Sequence, residues 1–207
     1  YKRKSPPLTP DNFVFQSRSL YAKDTWSVND STTLDVALRF DALSVDWTEL
    51  DSEVVEYILA PRMHGLVEHS EHVSSRFSYG LGYRPPLTLL ESQHGGDHDG
   101  FLIEIDRIEQ AHSFLYSFSA NYPTWFVTSG IHHTILDNMA YGYDVQGLGT
   151  SLVYQNSDET FDISVLEFVT GGKAYHHVNF QVAFEKFIFP DLYAYRLPTA
   201  AIEEQVT

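Results

Sequence analysis

The chain has 207 residues with a formal net charge of -15, and 14% of it is aromatic, with 13 Tyr and 14 Phe against only 2 Met. The excess of carboxylates repels phosphate backbones and argues against a nucleic-acid partner. The absence of cysteine removes disulfide frameworks and thiolate chemistry. No apolar run approaches the roughly 20 residues of a transmembrane helix. The opening YKRKSPPLTP has no apolar signal core, so localisation is not read from it.

Period-two alternation runs through the chain and predicts strands, in which successive side chains point to opposite faces. The first expected strand is 13–26; two alternation phases compete around Leu20–Trp26, so its faces are left unassigned. Over 33–41, Leu34, Val36, Leu38 and Phe40 share one face, with Asp35, Arg39 and Asp41 on the other. A weaker strand follows at 58–67. Over 73–83, Phe77, Tyr79, Leu81 and Tyr83 point one way, and Ser74, Arg76, Ser78, Gly80 and Gly82 the other. Phe114, Tyr116 and Phe118 are backed by Ser113, Ser117 and Ser119. Weaker strands are expected at 124–136, 144–155 and 160–168. The last clear case sets Val178, Phe180, Val182 and Phe184 against Asn179, Gln181, Ala183 and Glu185. About nine strands result.

Short polar turns are expected near 29–32, 68–71, 121–124 and 155–159, and longer irregular stretches at 45–57, 84–106 and 169–176. Short turns at one end and long loops at the other are a mark of outer-membrane barrels. The faces point the same way. The apolar face is rich in aromatic rings, which suit a pleated surface. The polar face is mainly Ser, Gly, Asn, Gln, Arg and Asp rather than the Lys, Glu and Thr common on a solvent face. The fold expected is all-β, an antiparallel up-and-down meander forming part of a transmembrane β-barrel. A soluble β-sandwich, which also gives many short strands with turns, is the alternative.

Four segments carry a resemblance to TonB-dependent outer-membrane receptors. Residues 19–41 resemble a hairpin of that family: Tyr21, Ala22, Lys23, Asp24 and Trp26 fit its first strand, and Leu38, Arg39, Phe40 and Asp41 fit the end of its second. Ala37 stands where Gly is usual, and Lys23 where Gln is. Residues 58–91 resemble the next hairpin, with Pro61-Arg62 opening it. The run Ser78-Tyr79-Gly80-Leu81-Gly82-Tyr83-Arg84-Pro85-Pro86 is similar to the family's Ser-Tyr-Gly-x-Gly-Phe-Arg-Ala-Pro signature, with Glu91 at the position of its Glu. Residues 105–138 match at Glu109, where Ile108 replaces the usual Pro. Residues 142–156 resemble a later strand, with Leu148 and Gly149 in place of its Val-Glu.

The resemblance implies a 22-stranded barrel closed by a plug, within which residues 1–207 form one segment without the plug, an incomplete barrel. It implies uptake of a scarce solute (a siderophore, haem, cobalamin, a metal chelate or a glycan) across the outer membrane of a Gram-negative bacterium. The partners implied are outer-membrane lipid, a small-molecule substrate and the TonB complex, reached through the plug. No cofactor is expected. A small complete outer-membrane barrel, acting as adhesin or pore, and a soluble β-sandwich binding module remain the other readings. In the motif, Tyr79, Gly80, Gly82, Tyr83, Arg84, Pro86 and Glu91 are structural; the two glycines admit close approach of backbone or mark sheet curvature, and Pro85-Pro86 ends the ladder.

One constellation stands out for ligand chemistry. Glu91, His94, Asp97, His98 and Asp99 lie in a Gly-rich run that the long-loop pattern puts on the outer face. As a ligand-contacting loop, its His94, Asp97, His98 and Asp99 are candidate divalent-metal ligands. The Asp-x-Asp-Gly spacing echoes a calcium loop but lacks the downstream ligands of an EF-hand. Gly, Asp and His are also ordinary residues of a solvated loop tip. His132-His133 and His176-His177 are adjacent pairs whose members point to opposite faces of a strand and so do not chelate together. There is no Gly-x-Ser-x-Gly elbow, no His-Glu-x-x-His and no phosphate-cradling Gly loop. The chain is not expected to be an enzyme.

Overall fold

The computed structural model describes residues 14–47, 52–85, 100–145, 151–175 and 178–189. Eleven strands occupy them: β1 (Val14–Asn29), β2 (Thr32–Trp47), β3 (Ser52–Ser70), β4 (Val73–Arg84), β5 (Gly100–Glu104), β6 (Glu109–Asn121), β7 (Trp125–Asp137), β8 (Ala140–Val145), β9 (Ser151–Asn156), β10 (Phe161–Tyr175) and β11 (Val178–Ile188). Eight of them form one sheet in the order β1-β2-β3-β4-β6-β7-β10-β11, with every neighbouring pair antiparallel. This is the expected meander.

The other three strands form a small sheet, β5-β9-β8, in which β5 and β9 run parallel. Sequence alternation did not reveal it. β5 lies in the stretch expected to be irregular, and the single strand expected at 144–155 is two strands, β8 and β9. Conversely, the described residues within 45–57 and 169–176 are strand: 45–47 continue β2, 52–57 belong to β3 and 169–175 to β10.

The connections fall into two classes by end of the sheet. At one end β1–β2, β3–β4 and β6–β7 join through a few residues. β10–β11 also joins there, across 176–177. At the other end the chain makes its excursions, through β5 between β4 and β6 and through β8 and β9 between β7 and β10. The expected turn at 155–159 is the return from that second excursion.

Cross-strand register sorts the side chains of the large sheet into two faces. On one face, aligned rows join Leu20, Phe40 and Leu59; Met63, Tyr79 and Phe114; and Phe77, Tyr116, Ile131 and Leu166. Phe118, Ser129, Phe168 and Phe184 form another row. Most of these large apolar residues are exposed, Tyr116 at 55% and Ile131 at 52%. A continuous apolar surface spanning eight strands far exceeds the patches that water-soluble monomers leave uncovered.

The opposite face carries Lys23, Asp35, Arg62, His64, Arg76, Ser78, Ser113, Ser117, Ser119, Thr128, His132 and Thr134 by the same registers. Serine–threonine pairs cross it, Ser113 to Thr134 and Ser119 to Thr128, each at 3.3 Å. Register also resolves the two competing phases of β1. Leu20, Ala22 and Trp26 stand on the apolar side, and Ser19, Tyr21 and Lys23 on the polar side.

The buried core lies towards the end of the long excursions rather than beneath the middle of the sheet. Leu43, Val45 and Trp47 of β2 and Val54, Ile58 and Ala60 of β3 pack with Ile105, Ile108, Ala140 and Tyr154. Leu81 and Tyr83 join this cluster, which departs from the expectation that they share one exposed face with Phe77 and Tyr79. The reason lies beside them. The β3–β4 ladder stops at the pair Arg62–Gly80, next to Pro61, whose nitrogen has no hydrogen with which to continue it. Beyond that seam β4 follows β6 alone, and Leu81 and Tyr83 turn into the interior.

Close approach within the sheet calls for glycine at Gly65, Gly171 and Gly172. Gly171 seats the Phe126 ring, since a Cβ there would come within 2.8 Å of the ring and 2.6 Å of the Phe180 carbonyl oxygen.

Candidate functional site at the mouth of the sheet

The motif residues of separate segments meet where β1, β2 and β4 approach. Asp41 is fully buried, and its Oδ1 accepts hydrogen bonds from Ser19 Oγ and from Arg39 Nε, the latter at 2.8 Å. The Arg39 guanidinium also donates to Tyr83 Oη at 3.0 Å and to Ser19 Oγ at 3.3 Å, and its carbon lies 5.7 Å from the centre of the Tyr83 ring. Asp41 Oδ2 has no hydrogen-bond partner among the described residues. One strand away, Arg84 Nη2 donates to Glu109 Oε2 at 2.8 Å. Arg39 and Asp41 from the first motif thus join Tyr83 of the second, and Arg84 joins Glu109 of the third.

Above this cluster, side chains from distant parts of the chain hold the strand connections. Glu56 on β3 accepts from the Ile108 backbone N–H at 2.6 Å and from Gln110 Nε2 at 3.1 Å. Asn156, at the end of β9, accepts at Oδ1 from the N–H groups of Asp106 and Arg107, both at 3.0 Å. Its amide donates to the carbonyls of Arg107 at 3.1 Å and of Asn138 at 2.7 Å. Asn138 itself sits at φ 56°, the left-handed region that Asn tolerates better than most residues. The sequence offered no sign of Glu56 or Asn156, because their partners lie about fifty residues away.

These bonds frame an open cavity of about 280 Å³ that faces away from the short turns. Glu104, Asp106, Asp137, Asp158 and Glu159 line it, with Arg107 as the cation. Thr160 Oγ1 donates to Asp137 Oδ1 at 2.8 Å, and Ser157 Oγ accepts from the Glu159 N–H at 3.1 Å.

Of the expected site residues, Tyr79, Gly80, Gly82, Tyr83 and Arg84 lie on β4. Tyr79 Oη meets His112 Nδ1 at 3.0 Å, and its ring packs on Phe114. Pro86 and the loop residues Glu91, His94, Asp97, His98 and Asp99 lie outside the described residues, as do His176 and His177. Among the described residues no group of three or more His, Asp or Glu is arranged to hold a metal ion. His132 and His133 point to opposite faces, as expected: His133 Nδ1 bonds Ser164 Oγ at 2.8 Å, while His132 Nε2 lies 3.4 Å from Thr134 Oγ1.

A sheet with exposed apolar rows on one face and polar groups gathered on the other, turned tightly at one end and elaborated at the other, has the pattern of a transmembrane β-barrel wall. No helix among the described residues is long and apolar enough to cross a membrane, which says nothing of a barrel. No family model and no curated protein matches the sequence.

Solved structures do match. The FrpB iron transporter from Neisseria meningitidis (F3-3 variant) superimposes with a TM-score of 0.64 at 16% identity, over 86% of this chain and 26% of its own. The copper transporter OprC gives 0.64 at 14% identity, over 84% and 29%. The ferric-catecholate import receptor Fiu from E. coli K12, in its closed form, gives 0.56 at 13% identity, over 86% and 28%. The present chain therefore spans between a quarter and a third of their length. The likeness is one of fold: the chain shares the barrel-segment architecture of these structures. The structures that share it are transporters and an import receptor, not enzymes.

In a barrel of that fold the apolar face would lie against lipid and the polar face against the lumen. Tyr122 and Trp125 stack at 4.6 Å at the short-turn end of β6 and β7, and Trp26 lies near the same end of β1. Such rings mark a membrane–water boundary. About ten residues of tilted strand cross the apolar layer. Counted along β2 from Leu34, the partner of Trp26, they reach Leu43. Val45, Trp47 and the acidic cavity would then stand outside the bilayer.

Proposed function

We propose that this chain forms part of the wall and outer mouth of a TonB-dependent receptor in the outer membrane of a Gram-negative bacterium. The receptor takes up a scarce small solute such as a siderophore, haem, cobalamin, a metal chelate or a glycan. A plug domain outside residues 1–207 would couple the barrel to the TonB complex. The acidic cavity beside β8 and β9 would contact the solute on arrival. The segment bearing Glu91, His94, Asp97, His98 and Asp99 precedes β5 in the sequence, and its His and Asp side chains would serve as metal ligands if the solute is a metal chelate. The observation that carries this function is the two-faced sheet, with exposed aromatic and aliphatic rows on one side and Ser, Thr, His and Arg gathered on the other from β1 to β7.

The test is cysteine scanning in the full-length protein in its membrane, aided by the lack of cysteine in this stretch. Cysteines at Tyr116 and Ile131 are expected to carry a nitroxide accessible to oxygen in lipid. Those at Ser117 and His132 are expected to react with a hydrophilic thiol reagent entering the lumen. A water-accessible Ile131 would overturn the reading.

A second reading, a small complete barrel, draws on the even count of eight strands in the sheet. It requires β1 to pair with β11. Disulfide trapping between those two strands in the intact protein separates the readings, because a larger receptor places other strands between them.

A further inference from the structure

The apolar face of the large sheet is not evenly filled. Gly65 on β3 pairs with Phe77 on β4. The Phe77 ring occupies the space that a side chain at Gly65 would take, since a Cβ there would lie 2.0 Å from the ring. The ring is therefore laid over β3, away from Tyr116, its register partner on β6. It leaves an open groove of about 520 Å³ between Met63 and Ile131, walled by Phe77, Tyr79, Phe114 and Tyr116. Ser78 and Leu115 pair beneath it, and by register their side chains belong to the other face, so backbone forms the floor.

One end of the groove is polar. Tyr79 Oη meets His112 Nδ1 at 3.0 Å, and His133 Nδ1 meets Ser164 Oγ at 2.8 Å. Ring contacts join the two pairs, Tyr79 to Phe114 at 4.9 Å and Phe114 to His133 at 6.4 Å. His133 stands eight residues along β7 from Trp125, close to the about ten that cross an apolar layer. The polar rim would then fall near the outer membrane–water boundary, with the groove running down from it among apolar side chains. Strands β3, β4, β6 and β7 each have a neighbour on both sides, so no further strand of a larger barrel pairs there. A plug would lie on the opposite face.

We infer that this groove seats one acyl chain of an outer-leaflet lipid, with the lipid's polar head among Tyr79, His112, His133 and Ser164. The inference rests on the reading that this face meets lipid, and deepens it. The chemistry favours a lipid over a second copy of the protein. The groove is apolar along its length and forms hydrogen bonds only at the level where a lipid changes from chain to head. A walled hollow also gives a chain contacts on three sides, where a smooth face gives them on one.

The test is photolabelling of the full-length protein in phosphatidylcholine nanodiscs that contain a little phosphatidylcholine with a diazirine in mid-chain, followed by peptide mass spectrometry. Phe168 and Leu59, on the same face, are the controls and are at least as exposed as Phe77. Adducts on Phe77, Phe114, Tyr116 and Ile131 are expected to exceed those on the controls at least about fivefold, because a seated chain has most of its surface buried. Gly65→Ala, which drives the Phe77 ring back over the groove, is expected to bring labelling down to the control level. Ile131→Trp, which fills the groove from β7, is expected to do the same. Heat-modifiable gel migration verifies that each variant is folded. The inference is overturned if the wild-type groove is labelled no more than the controls, or if its excess survives both variants. It is also overturned if the groove alone is protected and Ile131→Cys links two copies, which makes a second copy the occupant. Labelling spread evenly over the face removes only the lipid seat; labelling of neither groove nor controls removes the barrel reading as well.

Discussion

Replacing Arg39 by Met tests whether the junction of β1, β2 and β4 is held by charge. Asp41 has no solvent exposure, and its Oδ1 depends on Arg39 Nε at 2.8 Å and on Ser19. Removing one partner of a buried pair leaves an uncompensated charge and costs about 3–5 kcal/mol. The Arg39 side chain is 39% exposed, so water already screens part of its attraction, and Ser19 still donates after the change. The lower end of the range applies, about 3 kcal/mol, roughly two orders of magnitude in the folding equilibrium. Asp41→Leu alone strands the guanidinium nearer to water and is expected to cost less, about 1–2 kcal/mol. The double variant removes both charges and should be less destabilised than the sum, with a coupling of about 1.5 kcal/mol or more. Urea unfolding of the full-length protein refolded into detergent micelles, followed by far-ultraviolet circular dichroism, gives all four corners of the cycle. Additivity within about 0.5 kcal/mol would refute the reasoning.

Ile131→Arg places a charge against lipid near the middle of a spanning strand and is expected to cost about 2–4 kcal/mol, whereas His132→Arg on the lumen side should cost under about 1 kcal/mol, by the same unfolding assay. Asn156→Ala deletes four hydrogen bonds that gather Asp106, Arg107 and Asn138; amide exchange at Asp106 and Arg107 should quicken at least tenfold while exchange in β6 and β7 stays as it was. Gly171→Ala forces a methyl against the Phe180 carbonyl and the Phe126 ring, and a loss of about 1–3 kcal/mol is expected in thermal unfolding, with no loss meaning that the strands have room to separate.

The wall was legible in the sequence because a strand with one face in lipid and one in a channel must alternate, and alternation can be read from neighbours. Thus 33–41, 73–83 and 178–185 all fall within observed strands. Where two phases were equally good, as in β1, only pairing with β2 decided, setting Leu20 against Phe40 and Ser19 against Asp41. The small sheet was illegible for a different reason. β5 and β9 pair in parallel across some fifty residues, and their five or six residues are too few to carry a period. Leu81 was misjudged because its phase is correct along β4 but its surroundings are set by Pro61 on another strand. Motif resemblance found Arg39, Asp41, Tyr83, Arg84 and Glu109 singly. That they bond to one another could be learned only from the fold.

In the proposed receptor the β2–β3 hairpin would outgrow the bilayer, and that has mechanical weight. The four residues of β2 beyond Leu43 rise roughly 13 Å, with Trp47 packed among Val54 and Ile108. The vestibule is thus mounted on a stiff mast continuous with the wall instead of hanging from slack tethers. An arriving molecule meets a surface that is already set, so little ordering entropy opposes capture.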